Sequence, residues 1–189
     1  VLDLCTGSGV VAIAAAELGA VSVTAFDICP RAVRCSRGNA IHAGVDVDVR
    51  EGSWTRAAET APFDVIVSNP PYVPTPPEGD TEVIPHSAGP SSAWNGGVDG
   101  RMVLNPLCES ASDLLADGGS MLLVHSEFAG VQRSLHLLRY AGLQAQVVAS
   151  QSIPFGPVLS ARAGWLEMTG VIRRGCREEE LVVIQADKA

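Results

Sequence analysis

The sequence predicts an α/β fold with a doubly wound, mostly parallel sheet of seven strands, helices on both faces and an antiparallel strand at or near one edge. Short apolar runs alternate with helical stretches, which is typical of such sheets. A glycine-rich loop joins the first run to the first helix, and the last run follows three glutamates. With 189 residues and 47% apolar content, the chain suits one domain, 1–189.

Seven apolar runs are expected to form the strands. They lie near 1–5, 21–27, 45–50, 63–68, 119–125, 144–151 and 181–187. Mixed sheets often place an antiparallel strand at or near an edge, so the last run is expected to pair in this way.

Four helices are expected between these strands, near 10–18, 30–42, 102–115 and 128–140. The first is rich in alanine and ends at Gly19, and the second begins at Pro30 and ends at Gly44. Gly118 and Gly119 are expected to separate the third helix from the fifth strand.

Two segments break the alternation of strands and helices. Residues 73–100 are rich in Pro, Gly and Ser and predict a long loop, a feature that is often functional. Residues 153–178 are expected to be an insertion. Its amphipathic helix would present Val158, Ala161, Trp165 and Met168.

The net charge and the cysteine content limit the classes of function that the protein can have. The net charge of −8 and the lack of a basic block disfavour nucleic acid and favour a protein partner. Five cysteines without a C-x-x-C pair predict neither disulfides nor a metal site, and a cytoplasmic protein is expected. No apolar stretch is long enough to cross a membrane. Because the chain opens on a strand at Val1, upstream sequence is expected to be missing. The sequence does not predict the oligomeric state.

The glycine loop predicts a nucleoside site. Gly7 and Gly9 open the first helix, and Asp27 ends the second strand 20 residues after Gly7. Glycines there let a ligand approach the backbone, and an acidic residue in that position binds ribose hydroxyls. The neighbouring Thr6 and Ile28 are expected to line the same site.

Asp3 favours one cofactor over another. A carboxylate four residues before Gly7 would accept a hydrogen bond from the α-ammonium group of S-adenosylmethionine (SAM), directly or through water, whereas it would repel a dinucleotide pyrophosphate. The alternative is that Asp3 caps the glycine loop structurally.

Asn69-Pro70-Pro71-Tyr72 is the most informative motif of the chain. It follows the fourth strand, and its prolines hold the backbone extended. The Asn69 amide oxygen and the Pro70 carbonyl then offer two acceptors to a planar –NH₂ group, with the Tyr72 ring beside them. The alternatives are a structural Pro-Pro turn and a tyrosine that packs beneath the loop.

With this motif, the chain resembles the class I SAM-dependent methyltransferases that act on planar nitrogens, and within them the HemK-type protein-glutamine N5-methyltransferases. The resemblance covers about 1–150 and the last strand, and it is strong at 69–77 and 93–101. It is similar in particular to the short branch that lacks a large N-terminal helical domain.

The resemblance implies a role for several further residues. Cys5 stands where the family has the first glycine of the loop, and Ser53 stands where an acidic residue often binds the adenine amine, next to Trp54. Trp94 is expected either to cover the substrate or to anchor the loop.

The implied activity is methyl transfer from SAM to a side-chain amide, the glutamine of the Gly-Gly-Gln loop of a translation release factor. Asn69, Pro70 and Tyr72 would be catalytic, and Asn69 would also contact the cofactor. The residues expected to contact the substrate are Asn69, Pro70, Pro71, Tyr72 and Trp94. No metal is required. The alternatives are an amino-methyltransferase of adenine N6 or guanine N2, an NAD-dependent oxidoreductase and a non-enzymatic scaffold.

Overall fold

A computed structural model describes residues 1–80 and 82–189. Its strands form one sheet, in the order β3-β2-β1-β4-β5-β7-β6. The strands are β1 (Leu2–Leu4), β2 (Thr24–Asp27), β3 (Asp48–Glu51), β4 (Phe63–Ser68), β5 (Leu115–Ser126), β6 (Gln144–Pro154) and β7 (Glu178–Asp187).

The sheet confirms the predicted fold class. Strands β1 to β5 pair in parallel, whereas β7 lies antiparallel between β5 and β6. The last strand is therefore second from the edge, and β6 forms the edge itself.

Within the described residues, six α-helices surround the sheet. They are α1 (Val10–Glu17), α2 (Pro30–Ala43), α3 (Trp54–Ala57), α4 (Leu104–Leu114), α5 (Val131–Tyr140) and α6 (Pro157–Met168). As predicted, Pro30 begins α2 and Gly44 caps its end in a left-handed conformation. Gly19, with a φ of 92°, follows the end of α1. The short α3 was not predicted.

Two apolar clusters cover the opposite faces of the sheet. The larger one joins β1, β4, β5 and β7 to α4 and α5, and includes Leu4, Ile66, Leu107 and Leu123. The smaller one joins β2 and β3 to α1 and α2. Both faces thus bear helices, as a doubly wound sheet requires.

Two local predictions were wrong. Gly118 and Gly119 lie inside β5, because the strand begins at Leu115 and its register against β4 shifts between Phe63 and Val65. A Cβ at Gly119 would come within 2.8 Å of the Ala116 carbonyl oxygen, so glycine permits the close approach of the backbone at this irregularity.

The buried face of α6 also differs from the expected one. Met168 is 79% exposed, and Arg162 occupies the centre of the buried face. An arginine is buried there because its polar partners lie on the long loop after β4. Together, α6 and this loop enclose a third apolar cluster beyond the carboxyl ends of β4 and β5.

Candidate active site

A cavity of about 890 Å³ lies at the carboxyl ends of β1, β2 and β4. Crevices at this edge of parallel sheets are the usual ligand sites. The cavity is lined by residues from the three strand ends, the first turns of α1 and α2, the start of α3 and the long loop. Among them are Asp3, Cys5, Thr6, Gly7, Phe26, Asp27, Ile28, Cys29, Ser53, Trp54, Asn69, Pro71, His86 and Ala93. The size suits a nucleoside-bearing ligand such as SAM.

The glycine loop is held by backbone bonds to the neighbouring strand. The Thr6 N–H donates to the Phe26 carbonyl at 3.1 Å, and the Gly9 N–H donates to the Thr6 carbonyl at 2.8 Å. Gly7 and Gly9 both have positive φ. At Gly9 a Cβ would collide with the Ser36 side chain, so this glycine permits the close contact of α1 with α2.

Asp3 is buried and braces the loop. Its Oδ2 accepts hydrogen bonds from the Thr6 hydroxyl at 2.6 Å and from the Ala12 N–H at 3.1 Å. Burial raises the pKa of Asp3 to about 6. Within the described ranges, no group donates to the other oxygen, Oδ1, and Asp3 lines the cavity. A structural and a ligand-binding role are thus compatible, and the predicted contact with an ammonium group remains a prediction.

Asp27 connects the loop after β1 to the turn after β2. Its Oδ2 accepts from the Gly7 N–H at 2.9 Å, and its Oδ1 accepts from the Cys29 N–H at 2.8 Å. Each carboxylate oxygen has a second lone pair, so both can also accept from a ribose hydroxyl. The residues therefore fit the ribose of SAM.

Cys5 has a φ of 61°, and it is the only residue other than glycine with positive φ in the part of the chain that the structure describes. The family's glycine at this position is explained by that conformation rather than by the small size of the side chain. Burial raises the pKa of the Cys5 thiol to about 12, which keeps it protonated.

The cavity wall beyond Asp27 is largely apolar. Ile28 is 64% exposed, and Trp54 is half-buried at the start of α3. Ser53 caps that helix: its hydroxyl bonds to the Thr55 hydroxyl at 2.8 Å and accepts from the Thr55 N–H at 3.4 Å. These residues fit an adenine ring, and Ser53 retains limited capacity to accept from the adenine amine.

The corner after β4 reaches the same cavity. The Ser68 hydroxyl donates to the Leu4 carbonyl at 2.8 Å, which fastens the end of β4 to β1. Asn69 is exposed and lines the cavity together with Pro71. Among residues 1–80 and 82–189, no donor reaches the Asn69 side-chain oxygen or the Pro70 carbonyl. The Asn69 oxygen is therefore open to an incoming –NH₂ group, whereas Pro70 is buried and is not among the residues that line the cavity, so a contact with its carbonyl remains a prediction.

Tyr72 and Trp94 lie outside the cavity wall. Tyr72 packs between the larger cluster and the cluster around α6, and burial beside Glu179 raises the pKa of its hydroxyl to about 12. Trp94 stacks against the Arg162 guanidinium, whose carbon is 4.7 Å from the ring centroid. It remains a prediction that Tyr72 or Trp94 stacks on a substrate. The contacts seen here favour the alternative role, in which these two residues anchor the loop.

Two buried side chains at this edge were missed from the sequence. Arg162 contacts the long loop, and Glu179 lies beside Ser126 with burial raising its pKa. Arg162 lies four residues after Val158 and four before Leu166, so it shares the apolar face of the helix with them. This spacing was the signal from which its burial could have been predicted. Glu179 carried no signal, because it sits in a row of three glutamates.

Buried Arg101 and His125 are structural. Arg101 donates to the Ala129 carbonyl and the Ser134 hydroxyl at 2.8 Å each, and that hydroxyl also bonds the His125 ring at 2.9 Å. No group of three His, Cys, Asp or Glu side chains in the described ranges could hold a metal ion. Nor is any helix in those ranges long and apolar enough to cross a membrane.

The fold and the cavity define a class I SAM-dependent methyltransferase. Residues 1–82 match the family model of the methyltransferase small domain. A putative protein N5-glutamine methyltransferase of Methanocaldococcus jannaschii is 30% identical over 163 residues, which cover 86% of this chain and 80% of that protein. A release factor glutamine methyltransferase of Deinococcus radiodurans is 39% identical over 78% of this chain.

The chain belongs to the HemK-type family of protein-glutamine methyltransferases. It spans about half the length of the bacterial release factor methyltransferases that it matches, for example 52% of the Deinococcus protein. Among solved structures, the Mtq2–Trm112 complex of E. cuniculi, responsible for methylation of the eRF1 termination factor, covers the whole chain with a TM-score of 0.61 and 20% identity. That likeness concerns the fold. Family membership overturns the oxidoreductase alternative.

Proposed function

We propose that this protein transfers a methyl group from SAM to the side-chain amide nitrogen of a glutamine in a peptide-chain release factor. The observation that carries the proposal is the position of Asn69, whose side chain lines the cavity beside Pro71 with an amide oxygen that accepts from no group of the described residues. The relatives named for protein-glutamine and release factor methylation support the choice of acceptor. The reaction would take place in the cytoplasm, where translation terminates.

The cofactor would occupy the cavity between the glycine loop and Trp54. Asp27 would hold the ribose, Ile28 and Trp54 would contact the adenine, and the free oxygen of Asp3 would accept from the α-ammonium group. When bound, SAM supplies an electrophilic methyl group carried on a sulfonium.

The corner after β4 would orient the acceptor. An amide nitrogen is a weak nucleophile because its lone pair is delocalised into the carbonyl. Asn69 and Pro70 would each accept one of its two N–H bonds, and so aim the nitrogen at the methyl group. The same two oxygens would stabilise the positive charge that develops on nitrogen. The methylated cation is acidic and loses its proton to solvent.

A methylation assay with labelled SAM tests this proposal. Release factor, the same factor with the glutamine of its Gly-Gly-Gln loop replaced by alanine, tRNA and rRNA are offered as acceptors. We expect label in the intact release factor alone. Label in tRNA or rRNA instead would favour an exocyclic base amine as the acceptor, and would contradict the proposal.

Calorimetry tests the cofactor independently of the acceptor. SAM or its demethylated product, S-adenosylhomocysteine, should bind, whereas NAD should not. Tighter binding of NAD than of either would overturn the assignment of the cavity.

A further inference from the structure

Arg162 of α6 is buried, with 2% of its surface exposed, and its guanidinium binds the long loop that leaves the Asn69–Tyr72 corner. Nε donates to Asp80 Oδ1 at 2.6 Å and Nη2 donates to Asp80 Oδ2 at 3.1 Å. Nη1 donates to the Pro74 carbonyl at 2.8 Å, and Nη2 also donates to Asn95 Oδ1 at 2.6 Å. Nη1 donates in addition to the Thr75 hydroxyl at 3.2 Å, so one side chain of α6 binds four residues of the loop.

These positions belong to two limbs of the loop, a first limb (73–80) and a return limb (94–97). The limbs are also bonded to each other. The Val73 N–H donates to the Trp94 carbonyl and the Gly96 N–H donates to the Val73 carbonyl, each at 2.9 Å. Arg162 therefore reinforces an existing contact between the two limbs.

The return limb packs directly on the corner. A Cβ at Gly96 would come within 2.8 Å of the Tyr72 carbonyl carbon. Glycine at this position therefore allows the limb to lie against the backbone of Tyr72. The return limb is therefore in direct contact with the backbone of the corner to which Asn69 belongs.

The segment between the limbs reaches the cofactor cavity. His86, Pro90 and Ala93 line it, and Ala93 adjoins Trp94, on whose ring the Arg162 guanidinium stacks. The corner that would orient the acceptor and the loop that covers the cavity are thus both connected to α6 through Arg162.

Arginine suits this task for a physical reason. Its planar fork matches a carboxylate with two parallel hydrogen bonds, keeps further donors for the Pro74 and Asn95 oxygens, and stacks on an aromatic ring. A lysine ammonium cannot make this set of contacts. The Asp80 side chain, 26% exposed, balances the charge of the buried guanidinium.

We propose that Arg162 is a positioning residue for methyl transfer: through it, α6 holds the two limbs of the loop and so fixes the Asn69–Tyr72 corner that orients the acceptor. The inference rests on the proposed function and assigns a role to the segment predicted as an insertion, 153–178. It predicts that losing the grip impairs use of the acceptor more than binding of the cofactor.

The test compares R162K, R162A and D80N with R139A, a control at an exposed arginine that also binds a main-chain carbonyl. Arg139 of α5 donates through Nε and Nη2 to the Ala145 carbonyl at 3.1 and 2.7 Å, and the structure shows no bond from it to the loop. Backbone hydrogen exchange of both limbs, affinity for S-adenosylhomocysteine, and kcat and KM for the release factor are measured.

We expect faster exchange in both limbs of the Arg162 variants, and parental exchange there in R139A. The kcat/KM for the release factor should fall by about 10–100-fold in R162K and R162A, because small misplacements of reacting groups are costly. S-adenosylhomocysteine affinity should change by only a few-fold. D80N keeps the Pro74 and Asn95 contacts and should give a smaller loss than R162K.

Parental limb exchange in folded R162K would overturn the inference, and so would faster exchange with an unchanged kcat/KM. If R162A does not fold, the limb exchange and the kcat/KM of R162K and D80N test the inference. Failure of the parental protein to methylate the release factor would instead refute the proposed function. In that case limb exchange alone decides whether Arg162 holds the loop, and parental exchange in R162K still refutes the inference.

Discussion

The Asp27 carboxylate accepts a hydrogen bond from the main-chain N–H of Gly7, with 2.9 Å between the nitrogen and Oδ2. The bond joins residues that lie 20 positions apart, at the ends of two adjacent parallel strands. The acidic residue expected to bind the ribose therefore also fixes the loop that lies against the ligand.

Asp27→Ala should therefore affect both binding and stability. SAM affinity should fall by about 10–100-fold, since a hydrogen bond to a charged group contributes about 1.5–3 kcal/mol. The Gly7 and Cys29 N–H groups would lose their acceptor, which should lower the free energy of unfolding by about 1–3 kcal/mol. Calorimetry and urea unfolding measure the two effects.

Asp27→Asn is the matched control, because it keeps an acceptor oxygen and the shape of the side chain. Because its –NH₂ group would face one of the two main-chain N–H groups that Asp27 accepts from, it should recover only part of the stability and little of the affinity. A SAM dissociation constant equal to that of the parent in both variants would remove Asp27 from the ribose site.

The parts of the fold set by local patterns were predictable. Pro30 and Gly44 marked the ends of α2, and the run at 63–68 gave β4 with its bounds unchanged. The irregularity of β5 at Gly118 and Gly119 was not predictable, because it depends on the register between β4 and β5, which no local pattern specifies.

In the candidate site too, the features that depend on local sequence were predictable, and those that depend on contacts between distant residues were not. The corner at Asn69 was visible because two prolines and an asparagine stand in one tetrapeptide. The grip of Arg162 on Asp80 joins residues 82 positions apart, and only the folded chain brings them together. The strain at Cys5 was not predictable, because the backbone angle that makes this residue unusual cannot be seen in a sequence.

Asp3 should make the stability of the protein depend on pH. Its pKa rises from 3.8 to about 6 on folding, so the folded state holds this proton more tightly than the unfolded chain. The resulting stabilisation is fully present below pH 3.8 and is lost as the pH rises through about 6. The difference corresponds to about 3 kcal/mol, from the linkage between pKa shifts and stability.

Asp3→Asn removes the ionisation while keeping an acceptor for Thr6 and Ala12. We expect a higher free energy of unfolding than the parent at pH 7 and a flatter profile between pH 4 and 6. The exposed Asp46→Asn serves as the control. If Asp3 also binds the α-ammonium group, the same variant should bind SAM more weakly, whereas parental affinity would leave Asp3 a purely structural role.

Cys5→Gly and Cys5→Ala should differ in stability. Both remove the thiol, but only glycine adopts a φ of 61° without the clash of a Cβ. Left-handed backbone costs other residues about 1–2 kcal/mol, so the glycine variant should be the more stable of the two by about 1 kcal/mol. Thermal unfolding measures the difference, and equal or reversed melting temperatures would contradict strain at Cys5.

Asn69 separates binding of the cofactor from transfer of the methyl group. Asn69→Ala should leave SAM affinity within a few-fold of the parent, because the cavity keeps its other walls. Its kcat/KM for the release factor should fall by at least about 100-fold, the scale on which loss of a preorganised polar group acts.

Asn69→Asp keeps an acceptor but adds a charge and removes the amide donor, so it too should be impaired. Because Asn69 is exposed and its side chain makes no hydrogen bond within residues 1–80 and 82–189, both variants should unfold at the parental temperature. Parental rates of release factor methylation in both would show that Asn69 is structural and that the two-acceptor mechanism is wrong.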